Sequence, residues 1–309
     1  MAGNFNEMLL EICNEIGVKC SFLSNNWVTV FEKNGKTGYL IGRKFDLNGH
    51  ATGLILDDKF ALYCALKEKN IPVIEHNLLY SEDNLSEYVN GLNSYDVVED
   101  FFENHDKNIV IKPNDGMCGR GVFHITEASQ IRPALKQLFE KSRSVSFCPF
   151  YKIRHEYRFI MLGRKVKLSY AKCLPEVVGD GKHTIKELLL SLNSNYFENH
   201  EFDGSEFDDI LKTGQKYTFG WKFNLSQGST TKPIEDKKLY DQLLSIATKV
   251  VDELNLGFVS VDIIETENNE LLVLEVNSGI GTNKYVGMHP ENYESVKNIY
   301  KEAIEMMLK

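Results

Sequence analysis

The sequence lacks the features that mark secreted, membrane-spanning or disulfide-bonded proteins. No apolar run approaches the roughly 18 residues of a membrane-spanning helix, and the opening residues MAGNFNEMLLEICNEIG contain no basic segment of a secretory signal. The six cysteines are scattered without a Cys-x-x-Cys pair, which indicates reduced thiols instead of a disulfide framework or a zinc site. We therefore expect a cytoplasmic protein without a membrane partner.

Positive charge is also in short supply. The 309 residues include 44 acidic and 35 basic side chains, which gives a net charge of −9. Sequence-independent nucleic-acid binding needs a basic surface, so we expect no nucleic-acid partner. A polyanionic ligand should instead bind together with a divalent cation.

A glycine-rich loop is present, but the signatures of the two commonest phosphate-binding loops are absent. In VIKPNDGMCGRGV, residues 110–122, the loop is followed by GVFHIT, which has strand character, and the loop itself contains no Gly-Lys-Ser/Thr. A strand-loop-strand hairpin with Gly116, Gly119 and Gly121 can close as a flap over phosphates, and Lys112 would supply charge. From the glycines alone, an ordinary hairpin with a loose turn fits equally well.

A second informative stretch is SVDIIETENNELLVLEVN, residues 260–277. With Asn268-Asn269 as a two-residue turn, Asp262 lies opposite Glu275, and Asn277 follows on the same face. Facing carboxylates repel each other, and Mg²⁺ with oxygen ligands would compensate them. The alternative is two exposed acids on an edge hairpin, although Glu275 and Asn277 interrupt an otherwise apolar strand.

Local patterns predict a mixed α+β chain. Hydrophobic periodicity predicts five helices, and Asn34-Gly35 predicts the turn of a β-hairpin. A polar stretch without clear periodicity, residues 193–232, is more typical of a functional loop than of filler. Residues 82–106 are predicted to be helical in two pieces. The five predicted helices span residues 5–16, 58–69, 129–141, 236–254 and 291–308.

Together these motifs resemble the ATP-grasp superfamily, in particular the branch with cyanophycin synthetase and the glutathione-synthetase half of bifunctional glutamate–cysteine ligases. The likeness runs in the family's order from about residue 40 to the last residue. It rests on the stretches FDLNGHATGLILDDKFALYCALKEKNIPV, VIKPNDGMCGRGV, EYRFIMLGRKV, VVGDGKHTIKELL, KFNLSQGSTTKP, SVDII and LEVNSGIG.

The resemblance implies an ATP-grasp fold, in which two α+β subdomains grip ATP. It implies a short N-terminal segment, residues 1–45, before the ATP-grasp domain at 46–309. Within that domain the lid subdomain would span about 107–150, and the Mg²⁺-binding hairpin 258–277.

The resemblance also implies roles for individual residues. Lys59 and Lys112 match the two phosphate-binding lysines, and the three flap glycines match the lid loop. The hairpin residues Asp262, Glu275 and Asn277 match the Mg²⁺ ligands, which would also accept Mn²⁺.

Further matches concern the transferred group and the acceptor substrate. Arg158 matches an arginine that neutralises the phosphoryl group, so Arg158 and Lys112 are the implied catalytic residues. Lys222, Asn224 and Ser226 fall in the stretch that faces the acceptor substrate. A solvated loop lysine is an equally good interpretation of Lys222 and Lys232.

The chain departs from the family pattern at the adenine hinge. Cys148 and Pro149 stand where an acidic residue is expected, so the backbone of 148–151, with Phe150 and Tyr151, would bind adenine. The N-terminal segment is also shorter than in free-standing relatives. Cys118 in the flap is interpreted as filler, and His183 and His289 as structural residues.

The implied reaction is the ATP-dependent joining of a carboxylate and an amine through an acyl-phosphate, with release of ADP and phosphate. An amino acid, a small peptide and a ribosomal peptide are all open as substrates. A kinase on the same fold and a non-enzymatic ATP-binding module are the alternatives. A homodimer is also open.

Overall fold

The computed structural model describes residues 5–81, 94–116, 119–192 and 205–309. Several sequence predictions fall outside these ranges: the flap residue Cys118, the first part of the helices predicted at 82–106, and the first part of the 193–232 loop. Within the described ranges, no helix is long and apolar enough to cross a membrane.

The N-terminal residues form a helix and a small antiparallel sheet. Helix α1 ends at Gly17, whose φ of +63° ends the helix as predicted. Asn34 and Gly35 both have positive φ, as the predicted two-residue turn requires. The sheet has the order β1-β2-β3-β4. The elements are α1 (Phe5–Ile16), β1 (Lys19–Leu23), β2 (Val28–Lys33), β3 (Lys36–Ile41) and β4 (Lys44–Phe45).

This N-terminal unit shares its hydrophobic core with the last helix of the chain. Tyr300 is fully buried, and its ring contacts those of Phe5, Phe45 and Phe258. Its hydroxyl lies 3.0 Å from the Ile280 carbonyl oxygen, to which it donates. Residues 5–45 are thus packed against the C-terminal part, and the domain boundary at residue 45 stays a prediction.

A second four-stranded antiparallel sheet, the lid sheet, has the order β5-β8-β6-β7. β6 and β7 flank the glycine loop and pair with each other from Ile109–Ile125 to Ile111–Phe123, which confirms the predicted strand-loop-strand hairpin. Two helices pack on its outer face. The elements are β5 (Asn77–Tyr80), α4 (Asp96–Asn104), β6 (Ile109–Pro113), β7 (Phe123–Ile125), α5 (Ile131–Phe139) and β8 (Ser144–Pro149), and α2 (His50–Asp57) and α3 (Lys59–Glu68) precede them.

The third layer is a five-stranded antiparallel sheet, the central sheet, of order β13-β10-β9-β14-β15. Its apolar face packs against α2, α3 and α7. Its edge strand β13 lies inside the stretch predicted as loop, because three residues are too short for a periodic signal. The elements are β9 (Ile153–Leu162), β10 (Lys165–Cys173), β13 (Thr230–Lys232), α7 (Lys237–Glu253), β14 (Phe258–Thr266), β15 (Leu271–Asn277), α8 (Asn283–Met288) and α9 (Tyr293–Met307).

A small unit projects from the central sheet between β10 and β13. Its tight GDGKH turn is closed by Asp180, whose carboxylate accepts hydrogen bonds from the backbone N–H groups of Lys182 and His183. The His183 ring also contacts this carboxylate at 2.6 Å. This local role agrees with the structural interpretation of His183. The unit contains β11 (Glu176–Val178), α6 (Ile185–Leu192) and β12 (Lys216–Thr218).

The shared core makes Tyr300 a test of the N-terminal packing. Tyr300→Ala should lower the free energy of unfolding by about 3–5 kcal/mol, because it removes a buried ring and leaves a cavity. Urea unfolding followed by circular dichroism measures this loss. Met306→Ala on the same helix, where the residue is 41% exposed, should change it by less than about 0.5 kcal/mol. A separate early transition of residues 5–45 in the wild type would contradict the shared core.

Candidate active site

A cavity of about 420 Å³ lies between the lid sheet and the central sheet. Its described lining contains two carboxylates, Glu156 and Glu275, against a clear majority of cations. This excess of positive charge suits an anionic ligand although the whole chain is acidic. The cations are Lys59, Lys112, Arg120, Arg158, Lys172, Lys222 and Lys284.

The acidic hairpin contributes one edge of the cavity, and its register was predicted correctly although its turn was not. Asp262 pairs with Glu275 as expected. The two-residue turn at Asn268-Asn269 is wrong: Thr266 and Glu270 close a three-residue loop, and Asn269 has a φ of +62°. An extra residue in β15, Leu274, shifts the register back by one position.

The extra residue also determines which side chains reach the cavity. Val273 and Val276 are fully buried in the core of the central sheet. The intervening residues Leu274 and Glu275 both face the cavity, as does Asn277. The bulge therefore turns the face that carries Glu275 and Asn277 toward the cavity instead of the core.

Asp262 lies behind this surface in a buried charge network. It is fully buried, and Arg158, its cross-strand partner on β9, binds it through Nε and Nη2, with 2.6 Å between Nε and Oδ1. Lys172 donates to Oδ2 at 3.1 Å and is also paired with Glu156. Burial alone would raise the pKa of Asp262, but the two cations outweigh it and lower that pKa.

The predicted metal ligands therefore occupy two different environments. Both oxygens of Asp262 are bonded to cations, whereas Glu275 and Asn277 line the cavity and their side chains are 3.0 Å apart. In the described ranges, no group of three or more His, Cys, Asp or Glu side chains could hold a metal ion. One carboxylate and one amide oxygen fit Mg²⁺ that also binds phosphates, and the role of Asp262 as a ligand stays a prediction.

Lys59 and Lys112, the predicted phosphate-binding lysines, both line the cavity. Lys59 is the first residue of α3, and Asp58 caps this helix by accepting from the Ala61 N–H at 2.7 Å. The Lys59 ammonium donates to the Gly116 carbonyl oxygen at 2.6 Å. Burial and the neighbouring Lys112 lower the pKa of Lys59 to about 8.

The lid loop closes one side of the cavity. Gly119 and Gly121 have φ of +68° and +65°, which side chains other than glycine rarely adopt. A Cβ atom on Gly119 would lie 3.4 Å from the Asn224 amide nitrogen. The predicted lid and the predicted substrate stretch thus meet, and Gly116 lines the same cavity.

The substrate stretch is held by local contacts. Asn224 caps a short 3-10 helix, Leu225–Gln227, by accepting from the Ser226 N–H at 2.9 Å. Lys222 donates to the Val122 carbonyl oxygen at 3.3 Å, and burial lowers its pKa. Lys222, Asn224 and Ser226 all line the cavity, whereas Lys232 lies on the edge strand β13.

At the predicted adenine hinge, Cys148, Phe150 and Tyr151 line the cavity. The Phe150 ring stacks on His124 with centroids 3.9 Å apart, and Trp221 packs edge-on against it at 5.4 Å. The Tyr151 hydroxyl accepts from the backbone N–H of Glu75. These contacts fix an apolar wall of the kind that a planar base needs.

The sequence prediction missed Lys172, Glu156, Lys284 and His76. Lys172 and Glu156 are cross-strand partners of β10 and β9, so a correct alignment of that hairpin would have shown the pair. The other two residues carried no sequence signal. His289 contacts the Thr231 hydroxyl at 2.7 Å, in accord with a structural role.

Solved structures of similar fold identify this architecture. D-alanyl-alanine synthetase A from Vibrio cholerae superposes with a TM-score of 0.58 and 12% identity, over 98% of this chain and 94% of that chain. A bifunctional glutathione synthetase from Pasteurella multocida gives a TM-score of 0.53 and 17% identity, over 95% of this chain and 43% of that chain. The chain has the ATP-grasp fold.

Sequence comparisons agree with this fold. Residues 211–293 match the RimK-like ATP-grasp domain. The cyanophycin synthetase of Geminocystis herdmanii is 24% identical over 257 residues, which are 74% of this chain and 28% of that protein. The glutathione biosynthesis bifunctional protein GshAB of Streptococcus thermophilus is 24% identical over 217 residues, 63% of this chain and 28% of that protein. The resemblance predicted from the motifs is confirmed, and the chain matches only about 28% of the length of these relatives.

The two environments of the paired carboxylates lead to different mutational effects. Asp262→Ala should destabilise the fold by about 3–5 kcal/mol, because it leaves Arg158 and Lys172 buried without their partner. Glu275→Ala should cost less than about 1 kcal/mol, since the Glu275 side chain is 40% exposed. Thermal and urea unfolding measure both variants, and equal losses would contradict the distinction.

The lowered pKa of Lys59 predicts a pH-dependent affinity for Mg·ATP. An anion binds the protonated lysine, which predominates below the pKa of about 8. Affinity should therefore be constant below that pH and fall by up to about tenfold per pH unit above it. Calorimetric titration at several pH values measures this profile. Lys59→Arg keeps its charge at these pH values, so a profile that it does not flatten would refute the assignment.

Proposed function

We propose that this chain is an ATP-dependent ligase that joins a carboxylate to an amine, through an acyl-phosphate, and releases ADP and inorganic phosphate. The observation that carries the proposal is the cation-rich cavity between the lid sheet and the central sheet, with Glu275 and Asn277 at its edge. The homologues and structural neighbours named above are ATP-grasp enzymes that form carbon–nitrogen bonds.

The charges of the cavity support phosphoryl transfer to a carboxylate. A carboxylate is a poor electrophile, and phosphorylation converts it into an acyl-phosphate that an amine can attack. Both reactants are anions, so the site must neutralise their repulsion and hold them in line. Lys59 and Lys112 would bind the phosphate chain, and Arg158 would approach the group in transfer.

Glu275 and Asn277 would hold Mg²⁺, or Mn²⁺ in its place. The bound cation would neutralise charge on the phosphates. The oxygen donors of these two side chains fit that task, because magnesium commonly binds proteins through one or two carboxylates and completes its coordination with phosphate oxygens and water.

The described cavity contains no activated thiol, which supports direct attack by the amine. Cys148 is the cysteine of the described cavity lining, and burial raises the pKa of its thiol. A thiol with a raised pKa is a weak nucleophile at neutral pH. The proposed route, in which the amine attacks the acyl-phosphate directly, needs no covalent enzyme intermediate.

An amino acid or a small peptide is the substrate class we propose. The relatives are named for amino-acid and peptide products, and several cavity cations beyond the phosphate lysines can bind a second carboxylate. Lys222 and Lys284, which both line the cavity, are the cations that suit it. Asn224 and Ser226 would contact the acceptor.

A phosphate-release screen with Mg·ATP and pairs of amino acids or dipeptides tests the function. We expect ADP and phosphate in stoichiometric amounts with the amide, and only when an acid and an amine are both present. Lys112→Ala should lower the rate at least about a hundredfold, since it removes a charge-assisted contact made to the phosphates.

Glu275→Ala is the companion variant and should lose activity without unfolding. AMP as the product would exclude the acyl-phosphate route. A stable phosphorylated product that forms without an amine would instead identify a kinase. Rates close to wild type in either variant would refute the site assignment.

A further inference from the structure

His76 immediately precedes β5 and belongs to the cavity side of the lid sheet. Residues of this sheet alternate between two faces. Phe147 and Ile111 point to the core under α4 and α5. Ser146 and Lys112, which are register partners on β8 and β6, point the opposite way, and Ser146 is the residue that His76 contacts.

One nitrogen of the His76 ring is bonded and the other is not. Nδ1 lies 2.7 Å from the Ser146 hydroxyl oxygen. The residue is only 2% exposed, and Nε2 is buried without a hydrogen-bond partner among the described residues. A buried polar atom without a partner is costly, so a ligand atom that accepts a hydrogen bond from Nε2 would lower this cost.

His76 lines a side compartment of about 250 Å³. Asp115, Gly116 and Lys59 line the same compartment. Three of its other lining residues, Leu274, Glu275 and Asn277, also line the main cavity. The two spaces therefore meet where the phosphate lysine and the oxygen donors lie.

His76 can donate a hydrogen bond without adding positive charge to the site. Burial, then Lys112 and Lys59, lower the pKa of His76 well below its ordinary value, so the ring is neutral at physiological pH. When Nδ1 accepts a hydrogen bond from the Ser146 hydroxyl, the single proton of the neutral ring resides on Nε2. A neutral N–H can then bind an anion beside two lysines without repelling them.

We propose that His76, oriented by Ser146, donates its Nε2–H to the phosphate chain of the bound nucleotide and so acts as a third phosphate-binding group beside Lys59 and Lys112. The inference rests on the proposed function, because it takes a nucleoside triphosphate as the ligand. His76 is a binding residue in this scheme, and Ser146 is the positioning residue that selects its tautomer.

Calorimetric titration of the full chain with Mg²⁺ and three ligands tests the inference: a non-hydrolysable ATP analogue, ADP and adenosine. His76→Asn keeps a polar group near the Nδ1 position and removes the donor at Nε2. It should weaken binding of the ATP analogue about tenfold or more, as expected for a lost hydrogen bond to a charged group. Its affinity for adenosine should stay within about twofold of wild type.

His76→Gln is the matched control, because its amide nitrogen reaches the Nε2 position and should restore most of the affinity for the ATP analogue. Ser146→Ala leaves the ring in place but removes the hydrogen bond that favours the tautomer protonated on Nε2. It should weaken binding of the ATP analogue a fewfold without changing adenosine binding, which tests the scheme even if His76→Asn folds poorly.

The outcomes separate this inference from the function on which it rests. Unchanged affinity of His76→Asn for the ATP analogue, or an equal loss for the analogue and adenosine, would overturn the role of His76 alone. A wild-type protein that binds none of the three ligands would overturn the proposed function as well.

Discussion

The arrangement of the site depends on the burial of Asp262 between Arg158 and Lys172. An ionised carboxylate without partners would cost several kcal/mol in this interior, so β9, β10 and β14 can pair only in registers that bring both cations to it. Arg158 and Asp262 are direct cross-strand partners, and Lys172 reaches across from the strand on the other side of β9. β15 pairs with β14 on this frame, and its bulge at Leu274 decides which of its side chains reach the cavity. These buried charges favour one register of the sheet, and the strands in that register carry the residues of the cavity surface.

The hairpin that carries Glu275 shows how two irregularities can cancel. A three-residue loop moves the pairing by one position, and the extra residue Leu274 moves it back. Without the bulge, Asp262 would face Leu274, and strict alternation would turn Glu275 toward the core. With it, Val273 and Val276 stay buried while Glu275 and Asn277 reach the cavity. The irregularity thus lies where the strand turns two polar side chains toward the cavity.

The sequence was most informative where a short-range pattern determines structure. The turn at Asn34-Gly35, the end of α1 at Gly17 and the amphipathic helices α7 and α9 follow from local conformational preference and periodicity. The pair of Lys172 with Glu156 does not, because the register of β9 and β10 slips by one between Val166 and Leu168, and residue spacing alone gives the wrong partner. His76 is similar: its neighbours Ser146 and Lys112 are remote in sequence and meet only in the folded lid sheet. The roles predicted for individual site residues follow from motif resemblance and not from local pattern.

The lysines that contact the lid are also those that an anionic ligand would bind. Lys59 and Lys222 are held against carbonyl oxygens of the lid, at Gly116 and Val122, and both have lowered pKa values because burial disfavours their charged forms. Carbonyl dipoles compensate only part of the free energy of hydration that a buried ammonium loses. A polyanion that enters the cavity replaces those dipoles with full negative charge, so it stabilises the cations and frees the lid carbonyls that had held them. The lid carbonyls and a polyanionic ligand would therefore compete for the same lysines.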